Sequence, residues 1–184
     1  CIAAVTIGGK TQLMIVLPAE TIGITMAPYC GQNLGAKKFD RIEKGVHRGV
    51  ALAFGYAAIG FCVARFLGPY LSLLFIDGSE TEVIALAQQY INAGSYFYLI
   101  LSLLFVLRNA LQGLGYSFTA MLTGMFELVA RGIMGFGFVN TIGYAAACVA
   151  NPVAWIAADL FLIPAYIIVS RKVKRSLSSR ISEE

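Results

Sequence analysis

Long apolar runs, separated by short polar segments, dominate the order of hydrophobic and polar positions along the 184 residues. The runs are apolar all round rather than on one helical face, and about 20 such residues are enough to cross a bilayer as a helix. Gly, Pro, Asn and charged residues mark where the runs end. The pattern predicts an all-α, polytopic membrane helix bundle with about five transmembrane helices, at about residues 2–29, 50–67, 94–112, 118–139 and 152–170.

Short segments of the sequence predict where several of the membrane spans begin or end. The segment "YLSLLFI" at 70–76 is too short to cross and is expected at the membrane interface. The apolar region 83–113 is longer than a crossing needs, so its polar part "QQYIN" is expected outside the hydrocarbon core. At the start of the fifth span, Asn151 is expected as the N-cap and Pro152 as the first helical residue.

The composition supports a membrane protein and argues against a nucleic-acid binder. Of all residues, 58% are hydrophobic and 13% are charged, and the mean hydropathy is +0.75, well outside the usual balance of soluble proteins. The net charge of +4 is confined to two segments beside predicted spans, without interleaved stacking aromatics. The expected partner is therefore the lipid bilayer, and no nucleic acid is expected.

The distribution of basic residues predicts the orientation, because cytoplasmic loops carry an excess of Lys and Arg. Two segments contain ten of the fourteen basic residues: Lys37, Lys38, Arg41, Lys44 and Arg48 after the first span, and Arg171, Lys172, Lys174, Arg175 and Arg180 in a tail at 171–184. The segments "IDGSETEV" and "NTIGYAAACVAN" contain no basic residue. With five spans, these observations predict an external N-terminus and a basic cytoplasmic tail at the C-terminus.

Neither a metal site nor an enzyme is indicated. The four cysteines (Cys1, Cys30, Cys62 and Cys148) show no CxxC spacing, and His47 is the only histidine. The sequence has no HExxH motif, no Gly-flanked serine with a partner histidine and no clustered aspartates. We therefore expect no metal, no organic cofactor and no catalytic residue.

Ionisable residues inside predicted spans are costly in hydrocarbon and usually face a partner or a water-filled cavity. Arg65 and Arg108 lie near span ends, from which they are expected to reach the headgroups. Three others have no opposite charge three or four residues away, so their partners are expected on other helices, in water or in a ligand: Lys10, Glu20 and Asp159. Each is a candidate either for a strut between helices or for a cavity-lining residue.

Glu127 and Arg131 in "FELVAR" are spaced i to i+4, in the order that favours an ion pair on one helical face. One interpretation is a structural pair in which each charge neutralises the other. The other is a functional pair in which Glu127 exchanges Arg131 for a cation during a transport cycle.

Three segments resemble one family of transporters. "GQNLGAKKFDRIEKGVHRG" resembles the loop after the second helix of each half in the multidrug and toxic compound extrusion (MATE) family. "LFVLRNALQGLGYSFTAMLTGMFELVAR" resembles the segment that joins the fourth and fifth helices of its C-terminal half, and "ANPVAWIAADLFLIPAY" resembles its last core helix. The resemblance implies a twelve-helix, two-lobe transporter of which this chain is the last five helices. The N-terminal lobe and the first helix of the C-terminal lobe are then missing partners.

The resemblance also implies a function. Members of the family export small organic, often cationic compounds from the cell across the plasma (inner) membrane in exchange for sodium ions or protons. The acidic positions of several branches fall on the missing helix or in "YFYLILSLLF", which has no acid, so the coupling ion is not assigned to residues. The alternatives are a flippase of lipid-linked oligosaccharide or polysaccharide in the same superfamily, and a non-transporting membrane scaffold subunit.

The polar segment "GQNLG" receives a specific interpretation as a hinge loop. Gly31 and Gly35 allow unusual backbone angles and close helix approach, and Gln32 and Asn33 can bond backbone groups freed at a helix end. Such a joint suits a lobe that rocks during alternating access. A simple tight loop between antiparallel helices is the alternative.

Overall fold

The computed structural model of the protein describes residues 2–76 and 80–181, without the side chains of Asn140 and of residues 177–181. Within these ranges the chain is helical almost throughout, and no strand occurs. Four helices are long and apolar enough to cross a membrane, and one bent pair of helices raises the number to five. The predicted all-α bundle with about five spans is therefore confirmed.

The helices of the described residues follow one another with short connections. The elements are α1 (Ile2–Gly35), α2 (Phe39–Phe66), α3 (Gly68–Ser72), α4 (Thr81–Ser95), α5 (Tyr98–Gly113), α6 (Ser117–Gly132), a π-helical segment (Ile133–Phe138), α7 (Val139–Ile142) and α8 (Tyr144–Ile181). The segment expected at the interface begins within α3, and "IDGSETEV" includes residues 77–79, which lie outside the described residues.

The predicted loop conformation of the hinge segment is wrong, because the sequence from Gly31 to Gly35 forms the end of α1. The amide of Asn33 donates to the carbonyl of Tyr29 at 2.8 Å, within the helix. The backbone N–H of Lys38 then donates to Asn33 and that of Lys37 to Leu34, which closes the helix in a Schellman motif. Only residues 36–38 separate the two helices, and Lys37 takes the left-handed conformation with φ 56°.

Helix α2 begins at Phe39, well before the predicted span at 50–67. Arg41, Lys44 and Arg48 therefore lie on the first turns of this helix rather than in a loop. Packing against α1 explains the early start, since Phe39, Ile42 and Val46 are buried at one-helix-turn spacing. The hydroxyl of Tyr29 also donates to the carbonyl of Arg41 at 2.9 Å.

The region 83–113 forms two helices, α4 and α5, which meet at a 58° bend. The helix expected at 94–112 thus starts at Tyr98, and Gly94 belongs to α4. At the bend the hydroxyl of Ser95 donates to the carbonyl of Asn92. The segment "QQYIN" is packed within the protein, because Tyr90 and Ile91 are buried and Gln88 donates to the carbonyl of Ala64.

The last two spans differ from their predicted bounds. The π-helical segment continues α6 through the glycine-rich "IMGFGF". Helix α8 begins at Tyr144, so Asn151 is not an N-cap and Pro152 lies inside the helix. The helix also continues to Ile181, where a separate tail was expected. Val173 is buried, and Lys174 pairs with Glu43 of α2 at 3.5 Å.

Helix α5 lies at the centre of the bundle and contacts α1, α2, α6 and α8. Its buried side chains, including Leu104, Val106 and Leu111, form the core together with residues of the surrounding helices. Large apolar side chains cover the outer surface, among them Leu52, Ile59, Leu128, Leu160 and Ile168. A soluble protein would expose few contiguous apolar patches, whereas a lipid-facing surface requires them. The protein is a multi-pass membrane protein.

Candidate functional site

One carboxylate in the bundle binds two guanidinium groups. Glu127 on α6 accepts from Nη2 of Arg131 at 2.9 Å and from Nη1 of Arg108 on α5 at 3.4 Å. The Glu127 side chain is 11% exposed, whereas Arg108 and Arg131 are 31% and 45% exposed. The acid is thus enclosed by protein, and both arginines reach from it toward open space.

The network continues across two further helices. Nε of Arg131 donates to Oδ1 of Asn151 on α8 at 3.1 Å. The Asn151 amide then donates to the hydroxyl of Tyr90 on α4 at 2.7 Å. Five side chains therefore connect α4, α5, α6 and α8, and each charged hydrogen bond is of the stronger, charge-assisted kind.

An open cleft of about 220 Å³ lies beside this network. Its polar lining contains Glu20 and Gln12 of α1, and its apolar lining includes Leu13, Val16, Phe105 and Trp155. No hydrogen bond or ion pair is formed by Glu20 with any residue that the structure describes. Nε2 of Gln12 is buried and also lacks a partner among those residues. The cleft thus has unused acceptor and donor capacity.

Asp159 lies behind the cleft lining. Its side chain is buried on α8, one turn beyond Trp155, and neither carboxylate oxygen has a hydrogen-bond partner among the described residues. A buried carboxylate without a donor is costly in its ionised form.

The structure brings Glu20, Glu127 and Arg131 to one cleft and places Asp159 beside it. Lys10 lies elsewhere: it is exposed, and its ammonium stands 5.8 Å from the ring centroid of Phe75. The residues of the predicted hinge, Gly31 to Gly35, lie at the end of α1 and do not line this cleft.

Sequence reasoning missed four residues of the site: Gln12, Tyr90, Arg108 and Asn151. Arg108 was expected at the headgroups but pairs with Glu127, which is 19 residues away in sequence. Asn151 precedes Pro152 and so matched the pattern of an N-cap. The available signal was the presence of polar side chains inside apolar runs, which indicates internal partners without identifying them.

The fold and the cleft define a class of protein. Charged side chains enclosed by membrane helices around an open cavity are typical of secondary transporters. The family model MatE matches residues 1–136, most of the chain. The chain belongs to the MatE family and is of the MATE transporter type. Searches among curated proteins and among solved structures gave no match.

The matched range contains the parts of the site on α1, α4, α5 and α6, whereas Asn151, Trp155 and Asp159 lie beyond it. Proteins of the MatE family are transporters rather than enzymes, which supports the non-enzyme interpretation in general terms.

Proposed function

We propose that the chain is part of a secondary active multidrug exporter, and that its cleft contacts an organic cation during transport. The observation that carries the proposal is Glu20, an acidic side chain on the cleft without a partner among the described residues. The apolar walls suit the carbon skeleton of such a compound. Trp155 adds an aromatic ring to the lining, and the Phe105 ring already holds a cation, because the guanidinium carbon of Arg108 lies 5.9 Å from its centroid.

The division of charge around the cleft supports separate roles for the three acids. Glu127 is engaged by two arginines, so it is the least available for a ligand. The buried carboxylate oxygens of Asp159 have no hydrogen-bond partner among the described residues, and Glu20 likewise has no partner among them. We propose that the substrate contacts Glu20. The coupling ion, a sodium ion or a proton, then binds to the carboxylate of Asp159, next to the network.

The proposed architecture requires more protein than these helices. In an exporter that works by alternating access, the substrate site lies between two halves that move against each other. We propose that a second, N-terminal lobe and one further helix complete the cavity. The plasma (inner) membrane is the proposed location, because export to the outside of the cell requires it.

The substitution Glu20→Gln tests this function in the complete transporter. The amide keeps the shape of the side chain and removes its charge, so we expect export of a fluorescent organic cation to fall about tenfold or more, the equivalent of at least one contact of about 1.4 kcal/mol. Folded yield should remain unchanged, because Glu20 has no partner to lose. Efflux from cells and ion-driven flux in proteoliposomes are the measurements.

A matched control is Glu82→Gln, which removes an exposed carboxylate from the first turn of α4, away from the cleft. This control should transport like the unmodified protein. Unchanged export by Glu20→Gln, at normal yield, would contradict the proposed role of the cleft.

The proposed orientation has its own test. Ten basic residues lie at the end where α1 stops and α8 leaves the bundle, so we expect this end in the cytoplasm. A tag after Glu184 should resist external protease in intact cells and become sensitive after lysis. A cysteine introduced at Thr81, at the opposite end, should react with an impermeant thiol reagent in a background without the four native cysteines. The reverse pattern would show an inverted topology.

A second candidate, a flippase for lipid-linked oligosaccharide, has one specific observation in its favour. Arg108 and Arg131 are partly exposed at the cleft, and guanidinium groups bind phosphates in bidentate geometry. In that function Arg131→Gln would abolish lipid translocation, and Glu20→Gln would have little effect on it. The same two variants therefore separate the two functions.

A further inference from the structure

A groove runs along the outer surface of the bundle between α1 and α2. Its volume is about 370 Å³, within the range of small-molecule sites. Met26 and Tyr29 of α1 line one side of the groove, and Gly45, Arg48 and Gly49 of α2 line the other. Both helices are long and apolar enough to cross a membrane, so the molecules that reach this groove from the side are lipids.

Two glycines on α2 allow side chains of α1 to lie directly on the α2 backbone. A Cβ at Gly45 would overlap the ring of Tyr29, and a Cβ at Gly49 would stand 2.8 Å from Sδ of Met26. The hydroxyl of Tyr29 also donates to the carbonyl of Arg41, which holds the ring in place. Packed side chains of α1 therefore form this wall of the groove.

The polar side chains of the lining have hydrogen-bond partners, with one exception. The hydroxyls of Thr21 and Thr25 donate to carbonyls of their own helix, and that of Tyr29 donates to α2. Arg48 is the exception, because its guanidinium forms no hydrogen bond, ion pair or ring contact with any residue that the structure describes. The groove is thus apolar along its length and has one unpaired cation in its lining.

Arg48 lies at the depth where lipid phosphates occur. It comes just before the apolar run at 50–67. Tyr29 in the same lining ends the apolar run of α1, and aromatic rings of this kind are typical of the membrane boundary. The groove extends from this boundary past Met26 and Thr25 into the apolar part of both helices. A molecule with an anionic head and an apolar chain therefore matches its two ends.

The surroundings of Arg48 carry a small excess of positive charge. Arg48 also lines a depression on α2 whose other residues with a formal charge at pH 7 are Asp40, Glu43 and Lys44. Glu43 is paired with Lys174 at 3.5 Å, so one further acid stands against two cations. A net anionic headgroup is therefore favoured over a zwitterionic one, whose own cation would meet like charges.

We propose that this groove is a binding site for an anionic glycerophospholipid. The guanidinium of Arg48 binds the phosphate in the bidentate geometry that guanidinium groups favour. One acyl chain lies along the groove, on Met26 and beside Thr25. A free phosphate ion would use only Arg48, whereas the lipid uses the cation and the groove. This proposal does not depend on the transported substrate.

Thermal unfolding of the complete transporter in mixed micelles tests the site. Phosphatidylglycerol should raise the Tm by several degrees relative to the same amount of phosphatidylcholine, because a ligand that binds the folded state stabilises it. Glycerol 3-phosphate at an equal phosphate concentration should give no comparable shift. Equal Tm values in the two lipids, or an equal shift with glycerol 3-phosphate, would overturn the proposal.

Two variants remove the site by different means. Arg48→Gln removes the charge at the head of the groove, and Thr25→Phe fills the groove below it without a change of charge. Thr25 is exposed and its hydroxyl bonds within its own helix, so Thr25→Phe is expected to fold. Both variants should lose most of the phosphatidylglycerol shift. If Arg48→Gln does not fold, Thr25→Phe alone decides the question.

Each variant has a matched control outside the groove. Arg171→Gln removes an exposed arginine at the same end of the bundle, and Ile24→Phe enlarges an exposed side chain of α1 that does not line the groove. Both controls should retain most of the shift. A shift that persists in Thr25→Phe, or that is lost equally in either control, would mean that lipid acts on this end without a defined site, and the proposal would be rejected.

Discussion

Replacement of Glu127 by glutamine is expected to lower the free energy of unfolding of the complete transporter by about 3 kcal/mol. The substitution leaves two guanidinium groups without their shared carboxylate, and breaking one partner of a buried pair costs roughly 3–5 kcal/mol. The lower value is expected because Arg108 and Arg131 retain partial access to water. The measurement is chemical unfolding in detergent, with folded yield and Tm as supporting data.

The Glu43–Lys174 pair provides an internal control. Its atoms are 3.5 Å apart, but its side chains are 49% and 56% exposed, so Glu43→Gln should change stability by less than about 1 kcal/mol. Neutralising both arginines as well, in Arg108→Gln with Glu127→Gln and Arg131→Gln, should recover much of the loss.

The same series separates structural from functional roles of Glu127. If the role of Glu127 is structural, the single variant should have low stability, and the triple variant, in which stability is recovered, should transport again. A functional role predicts that the neutral triple variant folds and does not transport. Normal stability together with normal export in Glu127→Gln would defeat both interpretations.

Gly113→Ala is expected to cost about 3 kcal/mol, and Gly113→Leu should prevent recovery of folded protein. A Cβ at this position would overlap the carbonyl oxygen of Ala27 and lie 2.9 Å from Cβ of Cys30. Overpacking of a core typically costs about 1–3 kcal/mol. The upper value is expected here because the obstacle is backbone, which no rotamer change can move, so α1 and α5 must separate.

Gly55→Ala is the appropriate control for this prediction. Gly55 lies within α2, is exposed on the outer surface, and a Cβ there meets no atom within 4 Å. Alanine should leave stability unchanged or raise it by up to about 1 kcal/mol, as helix propensity predicts. Equal losses at both positions would show that the α1–α5 contact has no special requirement for glycine.

Helix content and the membrane environment were predictable because they depend on composition along one segment. A helix in lipid satisfies its own backbone groups and must be largely apolar to lie there, and the runs around residues 50–67 and 118–139 are long and mostly apolar. The Glu127–Arg131 pair was predictable for a similar reason, since its i to i+4 spacing fixes proximity within one helix. The structure places its atoms 2.9 Å apart.

Helix ends were predicted less well, because polar residues can act in two ways. "GQNLG" has the composition of a loop, yet Asn33 bonds within α1 and the helix continues. Asn151 and Pro152 have the pattern of a helix start, yet they lie inside α8, where Asn151 bonds to Tyr90. In both cases the hydrogen-bond partner decided the conformation.

The sequence by itself determined an all-α membrane bundle, the basic character of one end and the Glu127–Arg131 pair, because each depends on residues close together in the chain. The tertiary structure alone decided that Arg108 joins the pair, that Glu20 faces the same cleft and that Asn151 bonds to Tyr90. Those contacts join residues on different helices, and their distances depend on how the helices pack, which no spacing along the chain specifies.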